Sequence, residues 1–188
     1  LRAGFVIYVV PMLNPDGVIL GNYRCSLSGH DLNRAYPAPH AELHPEICAV
    51  KKLARELAAS QRLAMFMDMH GHSSKKGFFL YCCDPSVVAL PAGIERRSAF
   101  FSMNNTTFKI GKAKETTGRA VMYSEPMSCV NSYTCEASFL GAELPGGTHC
   151  IHFNTHHLRG APGIHLSTYI DRSIDRWISL ALSLSLSL

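Results

Sequence analysis

The sequence predicts an α/β domain, with a mixed, largely parallel sheet flanked by helices. Three observations carry that expectation. Apolar runs of strand length recur at 4–12 (GFVIYVVPM), 62–70 (RLAMFMDMH), 77–83 (GFFLYCC) and 131–141 (NSYTCEASFLG). Segments with apolar residues at helical spacing separate or follow them, and strands that alternate with helices favour parallel pairing. The chain has 188 residues, 47% of them hydrophobic, with no internal repeat and no composition shift that marks a linker, so one core of useful size can form.

Each element has its own signal. Residues 4–12 are continuously apolar and β-branched, the pattern of a strand buried on both faces. The following LNPDGV carries the Asn-Pro and Asp-Gly pairs of a turn. From His44 to Ser60 the residues Ile47, Val50, Leu53, Ala54 and Leu57 fall on one helical face, and Pro45 suits the first turn. The runs at 62–70 and 77–83 read as strands around a polar, Lys-rich loop. The stretch 94–120 is a mixture of helix and loop, and 131–141 is a strand. Residues 168–182, with Ile170, Ile174, Trp177 and Ile178, read as a closing amphipathic helix. The Ser/Leu run at 179–188 reads as a low-complexity tail or the frayed end of that helix.

Charge and cysteine usage exclude several classes. A formal net charge of +4 suits an acidic ligand but falls short of a nucleic-acid footprint. The uncharged run 177–188 is too short to span a bilayer as a helix, so no membrane is expected as a partner. The seven cysteines are odd in number and contain no C-x-x-C, which points to a reducing, cytoplasmic compartment. The chain starts without Met inside an apparent strand, as expected of a piece of a longer polypeptide.

Three stretches could carry chemistry. In HDLNRAYPAP (30–39) the adjacent Asn33 and Arg34 are either a solvated loop pair or a fork for a carboxylate. In FMDMHGHSS (66–74) His70 and His72 end a strand, with Asp68 two residues before the first. A neutral imidazole there can ligate zinc while its other N–H is held by a neighbour, or both can be plain loop histidines. In YTCEASF (133–139) Glu136 falls in a strand expected to be buried, where it must pair with a base or work as one beside a metal. His149, His152, His156 and His157 in HCIHFNTHH have no nearby carboxylate, and loop histidines are the simpler account.

Four blocks together resemble the cytosolic carboxypeptidases, a subgroup of the zinc (M14) carboxypeptidases: PMLNPDGVILGNYRCSLSGHDLNR (11–34), DMHGHSSKKGFFLYCC (68–83), KAKETTGRAVMY (112–123) and NSYTCEASFLG (131–141). The resemblance implies a zinc-carboxypeptidase-like fold, of which residues 1–178 would be the C-terminal portion. It implies one zinc ion, with His70 as the third protein ligand. It makes Arg24 the stabiliser of the developing oxyanion, and Asn33 and Arg34 the clamp on the substrate's terminal carboxylate. Glu136 would be the general base on the attacking water and then the proton donor to the leaving amine. Arg119 would line the base of the pocket for a glutamate side chain; read without the family, it is an exposed member of a basic loop with Lys109, Lys112 and Lys114. The implied substrates are glutamate-rich protein tails such as those of tubulin.

One departure bears on activity. The family takes its first two zinc ligands from an H-x-x-E pair, which the resemblance places upstream of this chain. No H-x-x-E occurs in the 188 residues; HAELHPE offers only H-x-E. A catalytic zinc uses about three protein ligands, so the chain alone is expected to be inactive. Two alternatives share parts of the pattern: an aspartoacylase-like acylamino-acid hydrolase, which also resembles DLNR, and a non-catalytic pseudo-enzyme that binds acidic tails.

Overall fold

The strand M-F-M-D-M-H-G-H organises the sheet. In a computed structural model of the chain, which describes residues 5–60, 62–124, 126–143, 150–154 and 179–184, this strand is β2 (Met65–His72). The other strands are β1 (Val6–Val10), β3 (Phe78–Tyr81), β4 (Ser132–Ser138), the short pair β5 (Ala142–Glu143) and β6 (Cys150–Ile151), and β7 (Ser179–Leu184). Five of them form one sheet in the order β1-β7-β2-β4-β3. Every pair in it is parallel except β3–β4 at one edge. The mixed, largely parallel sheet expected from the sequence is therefore present.

Side chains alternate faces along a strand, so β2 separates two layers. Phe66 points to one side and joins Tyr36, Ile47, Val50, Ala54 and Met122 in a core cluster. Met65 and Met67 point to the other and meet Leu80, Tyr133, Cys135, Ile94 and Phe101. The first cluster is roofed by α2 (Pro45–Ala59) and α4 (Gly118–Tyr123), the second by α3 (Ala89–Glu95). Helix α2 follows its sequence pattern: Pro45 opens it, and Ile47, Val50, Ala54 and Leu57 are buried.

The structure corrects the sequence reading in three places. Strand β1 is not buried on both faces: Val6 and Val9 are 57% and 53% exposed. It is an edge strand, and no described element covers those side chains. LNPDGV is not a simple turn. Pro15–Leu20 form α1, capped by the Asn14 side chain, which accepts from Gly17 N–H at 3.1 Å, with Pro15 fitting the first turn. Residues 179–184, assigned above to a tail or helix end, form β7 between β1 and β2. Their Ser/Leu alternation has the period of a strand, not of a helix. The remainder of the expected closing helix, 168–178, lies outside the described residues.

Lys51 lies on the apolar face of α2 and is 4% exposed. Its ammonium donates to the carbonyls of Tyr36 and of Pro37, the latter at 3.0 Å. It pins the Tyr36–Pro37 segment to the helix by satisfying two carbonyls, of which the contact with Tyr36 is buried. Lys51→Met keeps most of the side-chain volume and orphans those acceptors. It is expected to destabilise the chain by about 1–3 kcal/mol, read from the midpoint of urea unfolding at an unchanged slope.

Candidate active site

All six residues singled out from the sequence line one cavity of about 220 Å³: Arg24, Asn33, Arg34, His70, Arg119 and Glu136. They come from four places in the chain, and the sheet register brings two of them together directly. In the parallel pairing of β2 with β4, His70 is the register partner of Glu136. Neighbouring strands lie about 4.8 Å apart and register partners share a face. The imidazole and the carboxylate therefore project side by side into the cavity.

His70 is held from its own strand. Asp68, two residues earlier on the same face and 2% exposed, places Oδ2 2.7 Å from His70 Nε2. Burial works to lower the pKa of His70, but the Asp68 carboxylate, with help from Glu136, outweighs it, and the imidazole sits above its ordinary value. With Nε2–H donated to Asp68, the free lone pair of the neutral ring is on Nδ1, the arrangement of a carboxylate-oriented metal ligand. His70 thus fits a metal. Among the described residues, however, no group of three or more His, Cys, Asp or Glu side chains is placed to hold one. His152 is described, whereas His149, His156 and His157 lie outside the described residues.

Glu136 is 9% exposed, and its carboxylate makes no hydrogen bond or ion pair among the described residues. Burial raises its pKa; His70 opposes that rise, Asp68 reinforces it, and Lys114 and Arg24 oppose it more weakly. A carboxylate displaced upward in a cavity is suited to take and return a proton.

The other wall is the 24–34 loop, and Asp31 organises it. One Asp31 oxygen accepts the Asn33 N–H at 2.9 Å and caps the short 3-10 turn Leu32–Arg34; the other holds Arg24 at 3.2 Å. Arg24 also stacks on Tyr23, 5.4 Å from the ring centroid. Asn33 reaches across 85 positions of sequence: its Oδ1 accepts the Gly118 N–H at 2.8 Å, which leaves Nδ2 directed inward, 3.4 Å from His70 Nε2. Arg34 donates to the Asn33 carbonyl at 3.0 Å and has no carboxylate partner among the described residues.

Arg119, whose alternative reading was an exposed loop residue, is 3% exposed. Its Nη1 donates to the Cys82 carbonyl and lies 3.5 Å from Cys83 Sγ, and its Nε is buried without a partner among the described residues. The guanidinium faces the Tyr81 ring at 5.9 Å. Cys82 is no candidate nucleophile, since burial pushes its thiol up to about 12.

Asp31, Asp68 and Gly118 were not assigned from sequence. Their signals were present as an Asp two residues before a predicted site residue and as a Gly beside Arg119. A Cβ at Gly118 would come within 2.8 Å of the Tyr36 ring.

Residues 1–79 match the family model for zinc carboxypeptidase (Peptidase_M14). Bovine cytosolic carboxypeptidase 3 is 42% identical over 165 residues, 82% of this chain and 16% of that protein. Mouse cytosolic carboxypeptidase 2 is 40% identical over 174 residues, 88% of this chain and 20% of that protein. Among solved structures, a metallo-carboxypeptidase from Pseudomonas aeruginosa, in complex with (2-guanidinoethylmercapto)succinic acid, superposes with a TM-score of 0.58 at 24% identity, over 69% of this chain and 36% of that one. A carboxypeptidase from Shewanella denitrificans gives 0.57 at 25% identity, over 70% and 36%. The chain belongs to the zinc carboxypeptidase family. Within it, the sequence similarity is to the cytosolic carboxypeptidases, of whose length the chain spans 16% in the bovine case.

Asp68 gives the site a measurable signature. A raised His70 pKa stabilises the fold below the unfolded value of about 6.5, and that contribution is lost as pH rises through the folded value. In chelator-treated protein, Asp68→Asn should lower the His70 pKa in an NMR titration and flatten this part of the stability profile. An unchanged His70 pKa would assign the shift to another group.

Proposed function

We propose that the chain is the C-terminal portion of a catalytic domain that removes glutamate, C-terminal or side-chain-linked, from acidic protein tails such as those of tubulin. One observation carries this reading. The cavity that gathers His70 and Glu136 also contains a buried guanidinium, Arg119, with an unpartnered Nε and no counter-ion among the described residues. An uncompensated buried cation is costly, and a carboxylate-bearing ligand removes the cost. The names of the curated relatives support a cytosolic location; no helix among the described residues is long and apolar enough to cross a membrane.

The residues divide the work. Asn33 Nδ2 and Arg34 form a two-point donor set for the α-carboxylate of the terminal residue. Arg119 takes the side-chain carboxylate. Arg24, oriented by Asp31, faces the scissile carbonyl and stabilises the negative charge that develops on its oxygen. Glu136 takes the proton of the attacking water and returns it to the leaving amine. A zinc ion, when bound, supplies Lewis acidity at this centre, and His70 Nδ1 would be one of its ligands. Its other ligands would come from an H-x-x-E pair upstream, as in the family. A full-length gene without that pair would instead support a binding protein for acidic tails that has lost catalysis.

Two outcomes follow. After exposure to zinc and dialysis, the 188-residue chain should retain far less than stoichiometric metal; tight stoichiometric zinc would show a ligand set elsewhere in this chain. In the full-length protein with its complete ligand set, Arg119→Leu breaks a buried charge contact with substrate, a cost of about 2–5 kcal/mol. This should lower kcat/KM for C-terminal glutamate roughly thirty-fold to several-thousand-fold, and lower it far less for C-terminal leucine. Equal losses on both substrates would make Arg119 a support of the fold and not a selector.

A further inference from the structure

Two histidines outside the cavity tie its second wall to helix α2. The Ser26–His30 turn is closed by the Ser26 N–H, which donates to the His30 carbonyl at 3.0 Å, and His30 directly precedes Asp31. His44 is the N-cap residue of α2 and is 9% exposed. Its Nε2 lies 3.2 Å from His30 Nδ1, and the two ring centroids are 5.1 Å apart. One backbone contact sets the tautomers. His44 Nδ1 accepts the His40 N–H at 3.0 Å, so the proton of the neutral ring is on Nε2, which donates to His30 Nδ1. The same contact speaks against a metal ion shared by the pair, because His44 Nε2 then has no free lone pair to offer.

Each of these contacts needs a bare ring nitrogen. A proton on His44 Nδ1 would face the His40 N–H, and a proton on His30 Nδ1 would face His44 Nε2–H. Ser28 Oγ, 3.2 Å from His30 Nδ1, can accept the new N–H of His30, which leaves His44 without its acceptor. No carboxylate offsets a charge there: neither ring makes an ion pair among the described residues. The loop side contributes the Ser26 and Ser28 hydroxyls and the Leu43 carbonyl. The turn before α2 contributes His40, whose Nδ1 accepts the Glu42 N–H at 3.3 Å, and the first turn of α2 carries Glu46 and Cys48. A helix N-terminus is itself a poor place for a cation. We infer that the His30–His44 contact is a pH-sensitive tie, which holds the 24–34 loop on α2 while both rings are neutral and releases it in acid. Release reaches the site through the chain, since Asp31, the next residue, caps the turn that carries Asn33 and holds Arg24. The sign is opposite to that of His70, whose contribution to stability is present in acid. The inference does not depend on the reaction proposed for the cavity.

The test is hydrogen–deuterium exchange, read by mass spectrometry on the full-length protein at about pH 7.5 and about pH 5.5, where imidazole changes charge. Rates are corrected for the intrinsic effect of pH on exchange. The reporter is the segment 25–35, in which the Ser26, Gly29, Asn33, Arg34 and Ala35 amides are hydrogen-bonded. The reference is the second half of α2, residues 52–59. Protection of the reporter relative to the reference should fall about two- to ten-fold in acid, the scale of one lost hydrogen bond. His30→Asn keeps an acceptor near the position of Nδ1 and cannot take up a proton, so its ratio should not change with pH. His30→Ala should show the low ratio at both pH values. If His30→Asn unfolds, which the reference helix reports, His30→Gln takes its place. A wild-type ratio that is the same at both pH values overturns the inference. So does an acid loss that persists in the folded Asn or Gln variant, or one that only His40→Asn abolishes.

Discussion

Everything in the site depends on the register of β2 against β4. The pairing sets Asp68 against Thr134 and His70 against Glu136 on one face, and leaves Met67 and Met69 against Tyr133 and Cys135 on the other. Because the side-chain period of a strand is two, a slip of one residue would drive Glu136 into the methionine layer and expose aromatic and sulfur side chains to the cavity. An unpaired carboxylate among apolar groups costs several kcal/mol, so the arrangement that creates the site is also the one that the core enforces. Specificity of fold and placement of chemistry are here one constraint. The alternation M-F-M-D-M-H-G-H is its imprint in the sequence.

Register alone would leave the site with one wall. The second wall is the 24–34 loop, tied to the sheet through α4 by the Asn33–Gly118 hydrogen bond and to α2 by Lys51 beneath Tyr36 and Pro37. Asn33 is thereby given a fixed amide orientation: its oxygen is spent on a backbone N–H, and its NH₂ must face the cavity. Gly118 serves twice. It donates that N–H, and its lack of a side chain lets the Tyr36 ring close over it. Asp31 applies the same economy to Arg24, since the oxygen that caps the 3-10 turn leaves the other free to aim the guanidinium.

What was legible in the sequence follows from the range of the interactions. Strands β2, β3 and β4 and helix α2 have periodic patterns that local inspection can count, and the six site residues sit in short motifs within or beside them. The failures have different physical origins. Strand β1 has the composition of a two-face buried strand, but exposure is decided by what packs on it, which no local pattern encodes. The Ser/Leu run at 179–184 reads as low complexity until its period of two is matched with a partner strand. Lys51 lies in a helical stripe that otherwise reads as core, and only the carbonyls of a distant loop explain a lysine there. Arg119 looks like part of a basic surface loop because its neighbours are lysines. Its burial results from the Cys82 carbonyl and the Tyr81 ring, contributed by the β3 region.

The charge pattern of the cavity then narrows what the proposed reading can accommodate. Four cationic side chains line it, Arg24, Arg34, Lys114 and Arg119, against the carboxylates of Asp31, Asp68 and Glu136. Two of those carboxylates are already committed, Asp31 to Arg24 and Asp68 to His70. Glu136 is buried, that burial displaces its pKa upward, and its carboxylate makes no ion pair among the described residues. Of the cations left uncommitted, Lys114 is exposed to solvent, and the residual potential is positive at two less exposed, separated points, Arg34 beside Asn33 and Arg119. A ligand with one carboxylate satisfies one of them and leaves the other buried or half-buried without a counter-charge. A residue with both an α-carboxylate and a side-chain carboxylate satisfies both, which is why the proposed reading favours glutamate over an apolar terminus in this cavity.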